Sequence, residues 1–516
     1  MNLKPLPIGI QTFRDIINGG YLYVDKTEQI YEMIRYPKGV YFLSRPRRFG
    51  KSLLISTLEE IFQGNRDLFK GLWLYDSPYQ WEKHPVIHID FSQDYIADAA
   101  SLEQSLDWLL QRIARQYDLT LLGETFTQKF QDLITQLSQQ NKVVILIDEY
   151  DKPIIGSLED TAEAQRIQNV LKGFYGVIKG MDRYVRFVLL TGVSKFSKVG
   201  VFSGLNNLND LTLHPRYHTL VGITQLELEA NFGDYLTELA AIEGKSDEEM
   251  LEKVRLWYNG FCFSKRCESV YSPFSLLRLF DAYDFQNYWF ETGTPTFLLN
   301  ILKSRRYDLE RLDEVTVPEL AFSTYEIESL EIIPLLFQTG YLTIKGYNPE
   351  NRQFRLSYPN FEVEISFLTY LLGSYGEVEK ATAVNYLYHL ITALHAADWE
   401  QFFRTFNTLL ANINYELHIK QEKYYQTIFY LIFKLIGLEI NAEVHTNHGR
   451  IDAVIETKTA VYIFEFKLDG SASEALAQIQ EKSYFTRYLL SEKELHLLGV
   501  NFNMDQREAT EWEAAS

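Results

Sequence analysis

Four short runs in the first two hundred residues are almost wholly apolar, and each meets a polar group at its end. Val40 to Leu43 leads into a basic turn, Val86 to Phe91 alternates around Asp90, Val143 to Ile147 empties into Asp148-Glu149, and Val185 to Leu190 ends at Thr191. Such runs predict buried strands, and the continuous β-branched one at Val143 fits the centre of a parallel sheet. Helical patterns fill the intervals: Tyr21 to Met33, with Asp25 or Thr27 as its cap, an amphipathic stretch that begins at Gly50-Lys51-Ser52 and runs to Phe62, and Ser101 to Leu137. From Leu226 to Trp257 the pattern is helical again, and Tyr258-Asn259-Gly260 ends it. Gly340-Tyr341 then introduces one short strand and Phe354 to Tyr358 a second, Ala381 to Leu410 is helical, and Ile451 to Glu456 and Ala460 to Lys467 predict two strands joined by a hairpin-sized turn at Thr457 to Thr459.

The strand, basic turn and helix over Val40 to Phe62 form the arrangement that binds phosphate. A helix amino terminus presents unpaired N–H groups and a positive dipole end, Lys51 can reach the β- and γ-phosphates, and the Ser52 hydroxyl can ligate Mg²⁺. The loop is degenerate, because Arg45 stands where the G-x-x-x-x-G-K-[ST] pattern wants glycine, and Pro46 biases Arg45 toward an extended backbone. Arg45 and Arg48 join Gly50, Lys51, Ser52 and Thr191 as candidate nucleotide contacts. At the end of the central strand Asp148 is placed to hold Mg²⁺ and Glu149 to align and polarise the attacking water. Asp151 is a supporting acid, Asp90 either approaches the nucleotide or is satisfied by loop amides, and Lys195, Lys198, Asn206 and Asn207 are further candidates for the same crevice.

RPRRFGKS, preceded by LPIGIQTFRDIINGGYLYVDKTEQI, resembles the AAA-ATPase-like family of prokaryotic proteins, in which an Arg-Pro-Arg-Arg-Phe run replaces the glycine-rich turn. LIDEYDKPI, LLTGVSKFSKVGVFSGLNNLNDLT, YSPFSLL and QTGYLTI extend the likeness over most of the first 370 residues. The resemblance implies ATP binding and hydrolysis with Mg²⁺. It also implies a helical lid, followed here by a helix pair and hairpin that look like a winged helix. Asp25-Lys26 is part of the same signature, read either as a family feature or as a helix cap with a surface ion pair.

Composition narrows the setting. A chain of 516 residues, 46% hydrophobic and 15% aromatic, can bury more than one core. Three domains are expected, over 1–224, 225–375 and 376–516. Cys262 and Cys267 make neither a disulfide framework nor a zinc site. The opening residues lack the apolar region of a signal peptide, and Thr427 to Ile440 is short and broken by Lys434, so a cytoplasmic protein without a membrane span is expected. A net charge of −19 argues against one that coats nucleic acid nonspecifically.

A second constellation lies near the carboxyl end. Glu465 and Lys467 are two apart on a strand and so share a face, with Asp452 near the start of the strand before. Two carboxylates to hold Mg²⁺ and a lysine to position water are what phosphodiester cleavage requires. GRIDAVIE and IFEFKLDG make this segment similar to the PD-(D/E)XK nuclease superfamily. By that resemblance Asp452, Glu465 and Lys467 are the catalytic set, Asp452 and Glu465 hold the metal, Glu422 is an outer acid, and either Gln478 or the Gln480-to-Tyr484 pair is the helical motif.

The fold class read from the sequence is therefore α/β: a P-loop NTPase core with a parallel sheet, a helical lid and winged-helix-like module, and a C-terminal PD-(D/E)XK nuclease-like domain. The expected function is an ATP-regulated, Mg²⁺-dependent nuclease acting on DNA, with defence against mobile elements or phage as its setting. The alternative is an ATP-driven switch or scaffold whose C-terminal domain binds a partner or nucleic acid without cutting. DNA and a second copy of the chain are the expected partners. From Lys420 to Ser516, ten Lys and Arg stand against fifteen Asp and Glu, so DNA capture would draw on other positive positions such as Lys303, Arg305 and Arg306, unless these pair with Asp308, Glu310 and Asp313.

Overall fold

The apolar runs become the interior of one parallel sheet in a computed structural model. It describes residues 3–515 except 93–95, 159, 196–204, 206, 267, 292–295, 305–306, 308, 323–330, 377–378, 412–421, 440–442, 447–451, 483–484 and 490–491. The sheet comprises β1 (Gly39–Ser44), β2 (Val86–Asp90), β3 (Val143–Asp148), β4 (Val185–Gly192) and β5 (Asn209–Asp210), in the spatial order β2, β3, β4, β1, β5. All four pairings are parallel. Every residue of β1 and β3 is buried, as strands covered on both faces must be.

The strand order positions the first site. After β1 the chain passes through the helix Lys51–Phe62 and crosses to the far edge, then returns strand by strand, so that β4 rests between β1 and β3. The register sets Leu43 beside Thr191, and Asp90 beside Asp148. The polar residues that end the four runs thus share one carboxyl edge, where open α/β sheets bind their ligands. The stretch expected to be helical over Ser101 to Leu137 is two helices, Ala99–Gln116 and Phe126–Leu137, each opened by a capping box, at Asp98 and Thr125.

Two further helices, Gln225–Glu243 and Asp247–Tyr258, also begin with capping boxes, at Thr224 and Ser246. Their apolar faces close on the helix Pro273–Ala282, where Phe232 stacks on Phe280 at 5.4 Å. Lys26 reaches this group of helices, and Asp25 binds segments outside it. The Asp25 carboxylate accepts from the backbone of Thr27 (2.8 Å) and Trp73 (2.7 Å), while Lys26 donates to the Thr219 carbonyl (2.9 Å) and to Glu227 (2.6 Å), so the expected surface pair is a mostly buried link across two hundred residues. A hairpin, β6 (Phe261–Cys262) with β7 (Ser269–Val270), is followed by an antiparallel sheet of β8 (Val315–Pro318), β9 (Thr343–Asn348) and β10 (Gln353–Ser357) in the order β8, β10, β9. β8 had no signal in the sequence: it is four residues long, and only Val315 and Val317 turn inward.

The chain divides into two compact units, 1–292 with 314–362 and 293–313 with 363–516. The second is built on β11 (Glu443–Thr446), β12 (Asp452–Glu456), β13 (Ala460–Leu468), β14 (Glu494–Asn503) and β15 (Glu508–Ala515), which lie side by side in chain order. β13 and β14 are parallel, so a crossover must join them, and the helix Ala472–Glu481 supplies it. That helix presses against Gly499 of β14, where a β-carbon would lie 2.3 Å from the Ala472 carbonyl oxygen. The other face of the sheet carries the helices Trp399–Ala411 and Glu422–Glu439, with Phe402 stacked on Phe464 at 5.6 Å and Phe429 on Phe466 at 5.2 Å. Alternation along β13 therefore sends Phe464 and Phe466 to one face and Ile463, Glu465 and Lys467 to the other, beneath Ala472–Glu481.

Candidate functional site

A cavity of about 590 Å³ opens at the carboxyl edge of the first sheet, and its walls include Arg47, Arg48, Gly50, Lys51, Ser52 and Glu149. Gly50 precedes the helix with φ +89°, a left-handed backbone that glycine adopts without strain, and so turns the first N–H groups of Lys51–Phe62 toward the opening. Lys51 is buried, and its ammonium donates to the loop's own carbonyls, Arg45 O at 3.1 Å and Pro46 O at 2.9 Å. Burial lowers its pKa, and the nearby Asp148, Glu149 and Asp151 oppose that shift. The carbonyl of Arg47 accepts the Trp289 indole N–H at 2.9 Å, and the Arg48 guanidinium lies 5.1 Å from the centre of the Phe274 ring.

At the end of β3, Asp148 is buried and accepts a hydrogen bond from the Thr191 hydroxyl. Glu149 follows with φ +50°, an uncommon conformation for a residue with a side chain and one that clusters at functional sites. Burial raises the Glu149 carboxyl above the usual range; Lys51 opposes this, and Asp148 and Asp151 add to it. Asp151 is buried and grips the chain after β4, accepting from Val193 N (3.1 Å), Ser194 N (2.6 Å) and the Ser194 hydroxyl (2.6 Å). Only glycine fits at 192 between them, because a β-carbon there would lie 2.4 Å from the Asp151 carboxylate. The sequence offered Asp151 as a supporting acid but gave no sign of the Ser194 contact, which is set by how far β4 extends.

In the second unit one side chain organises the other candidate site. The Gln478 amide nitrogen donates to the Glu465 carboxylate while its oxygen accepts from the Lys467 ammonium, and Lys467 lies 3.7 Å from Glu465. Glu465 is 2% exposed. Asp452 is the residue directly opposite Glu465 in the β12–β13 register. The side chains of Asp452 and Glu422, and the whole of Tyr484, lie outside the described part of the structure. Gln478, one of the two helical registers open from sequence, is in contact with the Glu465–Lys467 pair, and Gln480, two residues on, is exposed.

Comparison with known proteins agrees with both halves. Residues 7–202 match the family model of predicted AAA-ATPases, and residues 420–512 match that of the PD-(D/E)XK nuclease superfamily. A protein of Azotobacter chroococcum mcd 1, named as an uncharacterized protein in the vnfD 5′ region, is 40% identical over 520 residues, which cover 98% of each chain. The chain belongs to the AAA-ATPase-like family. Its C-terminal domain belongs to the PD-(D/E)XK nuclease superfamily. Both families typically use ATP or Mg²⁺, and the residues of this AAA-ATPase-like chain fit that chemistry. Among the described residues no three His, Cys, Asp or Glu gather into a closed metal cage. Magnesium needs none, since it binds through one or two carboxylates together with phosphate oxygens and water. Ser52 with Asp148, and Glu465 with Asp452, are the residues that would hold it.

Several expected contacts of the AAA-ATPase-like core lie elsewhere. Arg45 does not line the cavity. It is 1% exposed, donates to the carbonyls of Ser44 (2.8 Å), Thr212 (2.9 Å) and Tyr217 (3.2 Å), and stacks 4.2 Å from the Phe263 ring. Burial lowers its pKa to about 9. Thr191 spends its hydroxyl on Asp148. Lys195 pairs with Asp210 at 2.5 Å on the wall of a different cavity, and Lys198 and Asn206 fall outside the described residues. Asp90 accepts from Ser92 N (2.7 Å) and Ser92 Oγ (2.9 Å), the loop-satisfied alternative. In the second unit Lys303 donates to the Ser374 carbonyl at 3.0 Å, and Asp313 pairs with Lys434 at 3.1 Å; Arg305, Arg306 and Asp308 are outside the described residues, as is the Glu310 side chain. Among the described residues no helix is long and apolar enough to cross a membrane.

Proposed function

We propose that this protein is an ATP-hydrolysing switch governing a Mg²⁺-dependent nuclease that acts on DNA, in a setting of defence against mobile elements. The observation that carries the first half is the convergence of Lys51, Ser52, Asp148 and Glu149 at the edge of one sheet. An apolar recess of about 110 Å³ shares Gly50, Leu53 and Leu277 with the larger cavity and is lined by Tyr23, Phe49 and Phe232, which suits a planar base. In this reading Lys51 exchanges its two carbonyl partners for phosphate oxygens, and Glu149 orients water and takes up its proton. Bound Mg²⁺ would neutralise charge on the transferring phosphoryl group.

The second half rests on the Gln478 bridge, which fixes Glu465 and Lys467 side by side opposite Asp452. There Lys467 positions water, and Glu465 with Asp452 would hold a metal whose chemistry, when bound, would be to polarise the phosphodiester. The alternative of a non-cleaving binding domain draws on the acidic balance of residues 420–516, which disfavours tight duplex binding. The deciding experiment incubates the full chain with single-stranded, duplex and branched DNA, with and without ATP and Mg²⁺. Cleavage that needs Mg²⁺ and disappears in Lys467→Ala supports the nuclease; ATP turnover with no cleavage of any substrate selects the binding domain.

A further inference from the structure

The first unit holds a second cavity, also of about 590 Å³, that the nucleotide reading does not use. Its walls come from the end of β4, from β5 and the turn after it, from the β6–β7 hairpin and from the segment around β8 and the helix Ile332–Thr339. Among the described residues its charged lining is Lys195, Lys265 and Arg266 against Asp210 and Glu319, one positive charge in excess within a chain of net −19. Both acids are already engaged: Lys195 sits 2.5 Å from Asp210 and Lys265 2.5 Å from Glu319. Among the described lining residues the two lysines and the two acids therefore offset one another, and Arg266 supplies the excess positive charge that an anion would meet. His214 also lines the wall; its Nδ1 accepts from Arg216 N at 3.2 Å, which leaves the proton on Nε2 as a donor. The apolar part of the lining is aromatic, with Phe322 and Phe337 meeting edge to face at 4.9 Å.

We propose that this cavity is a second ligand site, for a small aromatic phosphate of nucleotide size, with the ring against Phe322 and Phe337 and the phosphate at Arg266 and Lys265. The volume falls in the range of small-molecule pockets, and a lining that combines aromatic rings with cationic side chains matches that ligand class. The site is wired to the first one. Lys195 N donates to Gln338 Oε1 at 2.8 Å, and the neighbouring Ser194 is held by Asp151, which lines the first cavity. One peptide bond therefore separates the wall of the second cavity from the acid network of the first.

The test is calorimetric titration of the full chain with AMP, GMP, CMP and UMP, in wild type and in Lys51→Ala, whose first cavity has lost its phosphate-binding lysine. The expected result is one binding event per chain for at least one of the four, retained in Lys51→Ala and weakened at least tenfold in Arg266→Glu. Arg266 is exposed, so its replacement leaves the core alone, and circular dichroism checks this; Lys265→Glu is the second variant and has the same expected loss. Absence of any event, an event lost in Lys51→Ala, or one indifferent to both Arg266→Glu and Lys265→Glu overturns the proposal. Failure of ATP to bind at Lys51 leaves this outcome untouched, so the two readings fail separately.

Discussion

The Lys51 ammonium donates to the carbonyl oxygen of Pro46 at 2.9 Å, so the lysine that would meet a phosphate is held by the loop it belongs to. A glycine-rich turn would point N–H groups at that space. Here Arg45-Pro46 points carbonyls at it, and proline has no N–H to offer. Removing Lys51 consequently has two effects. Lys51→Ala should weaken nucleotide binding at least tenfold, and it should also lower stability by roughly 1–3 kcal/mol, because two inward carbonyls lose their donor. Titration with a fluorescent ATP analogue and urea denaturation read the two separately; unchanged affinity would sink the loop assignment.

Glu149 yields a prediction in which activity and stability move in opposite directions. Its folded-state pKa is raised, chiefly by burial, so ionising it costs the fold free energy. That cost grows as pH rises from about 4.3, the ordinary glutamate value, through the folded-state pKa, and is constant above it. Glu149→Gln carries no such cost. At pH 8 its melting temperature should equal or exceed that of wild type, with the difference closing toward pH 4, while ATP turnover falls roughly 10²–10⁴-fold. A variant that is less stable than wild type at pH 8 would contradict the burial argument, and one with full turnover the catalytic role.

Gln478 supplies the third. Its amide is fixed in one orientation by an acceptor on one side and a donor on the other, Glu465 and Lys467. Gln478→Leu should reduce cleavage about 10–100-fold by releasing both groups, as loss of an orienting partner does at metal sites. Gln480→Ala should have a smaller effect, since two residues along a helix is about 200° around it. Equal losses in the two variants would return the choice of register to where the sequence left it.

What was legible in the chain was what periodicity and strand ends encode. Val143 to Ile147 fitted a central parallel strand, and its exit into Asp148-Glu149 together with the Gly50-Lys51-Ser52 helix start pointed to a site at the edge of a parallel sheet. The alternation Glu465, Lys467 placed both on one face. What remained hidden depends on long-range placement. Lys26 finds Glu227 on a helix two hundred residues away and Asp151 finds Ser194 just past β4, and no local spacing announces either. Which helical glutamine meets Glu465 depends on where Ala472–Glu481 begins, a matter of one or two residues at its Ser471 cap. Arg45 was misplaced for a related reason: a basic residue in a basic phosphate loop reads as a ligand contact, and only the carbonyls of Thr212 and Tyr217, contributed from far along the chain, turn it inward.

Arg45 and Arg48, three residues apart in the same turn, should therefore behave as opposites. Arg45 ties the exit of β1 to Thr212 and Tyr217 and lies against Phe263, so it acts on the fold. Arg48 borders the cavity with its guanidinium near an exposed edge, so it acts on the ligand. Arg45→Ala removes the donor to three carbonyls and leaves a void the size of a buried arginine; at roughly 1–3 kcal/mol for each orphaned group, it should rank among the most destabilising single changes in the unit. Arg45→Lys keeps a charge but cannot reproduce the planar fork that reaches three carbonyls at once, so it should recover only part of the loss. Arg48→Ala should leave denaturation within about 0.5 kcal/mol of wild type and weaken ATP binding several-fold, since it removes one exposed cation from the phosphate end. Comparing urea midpoints and nucleotide affinities of the three variants decides the matter. Normal stability with lost affinity in Arg45→Ala would mean that its side chain faces phosphate after all and that the buried arrangement is not the working one.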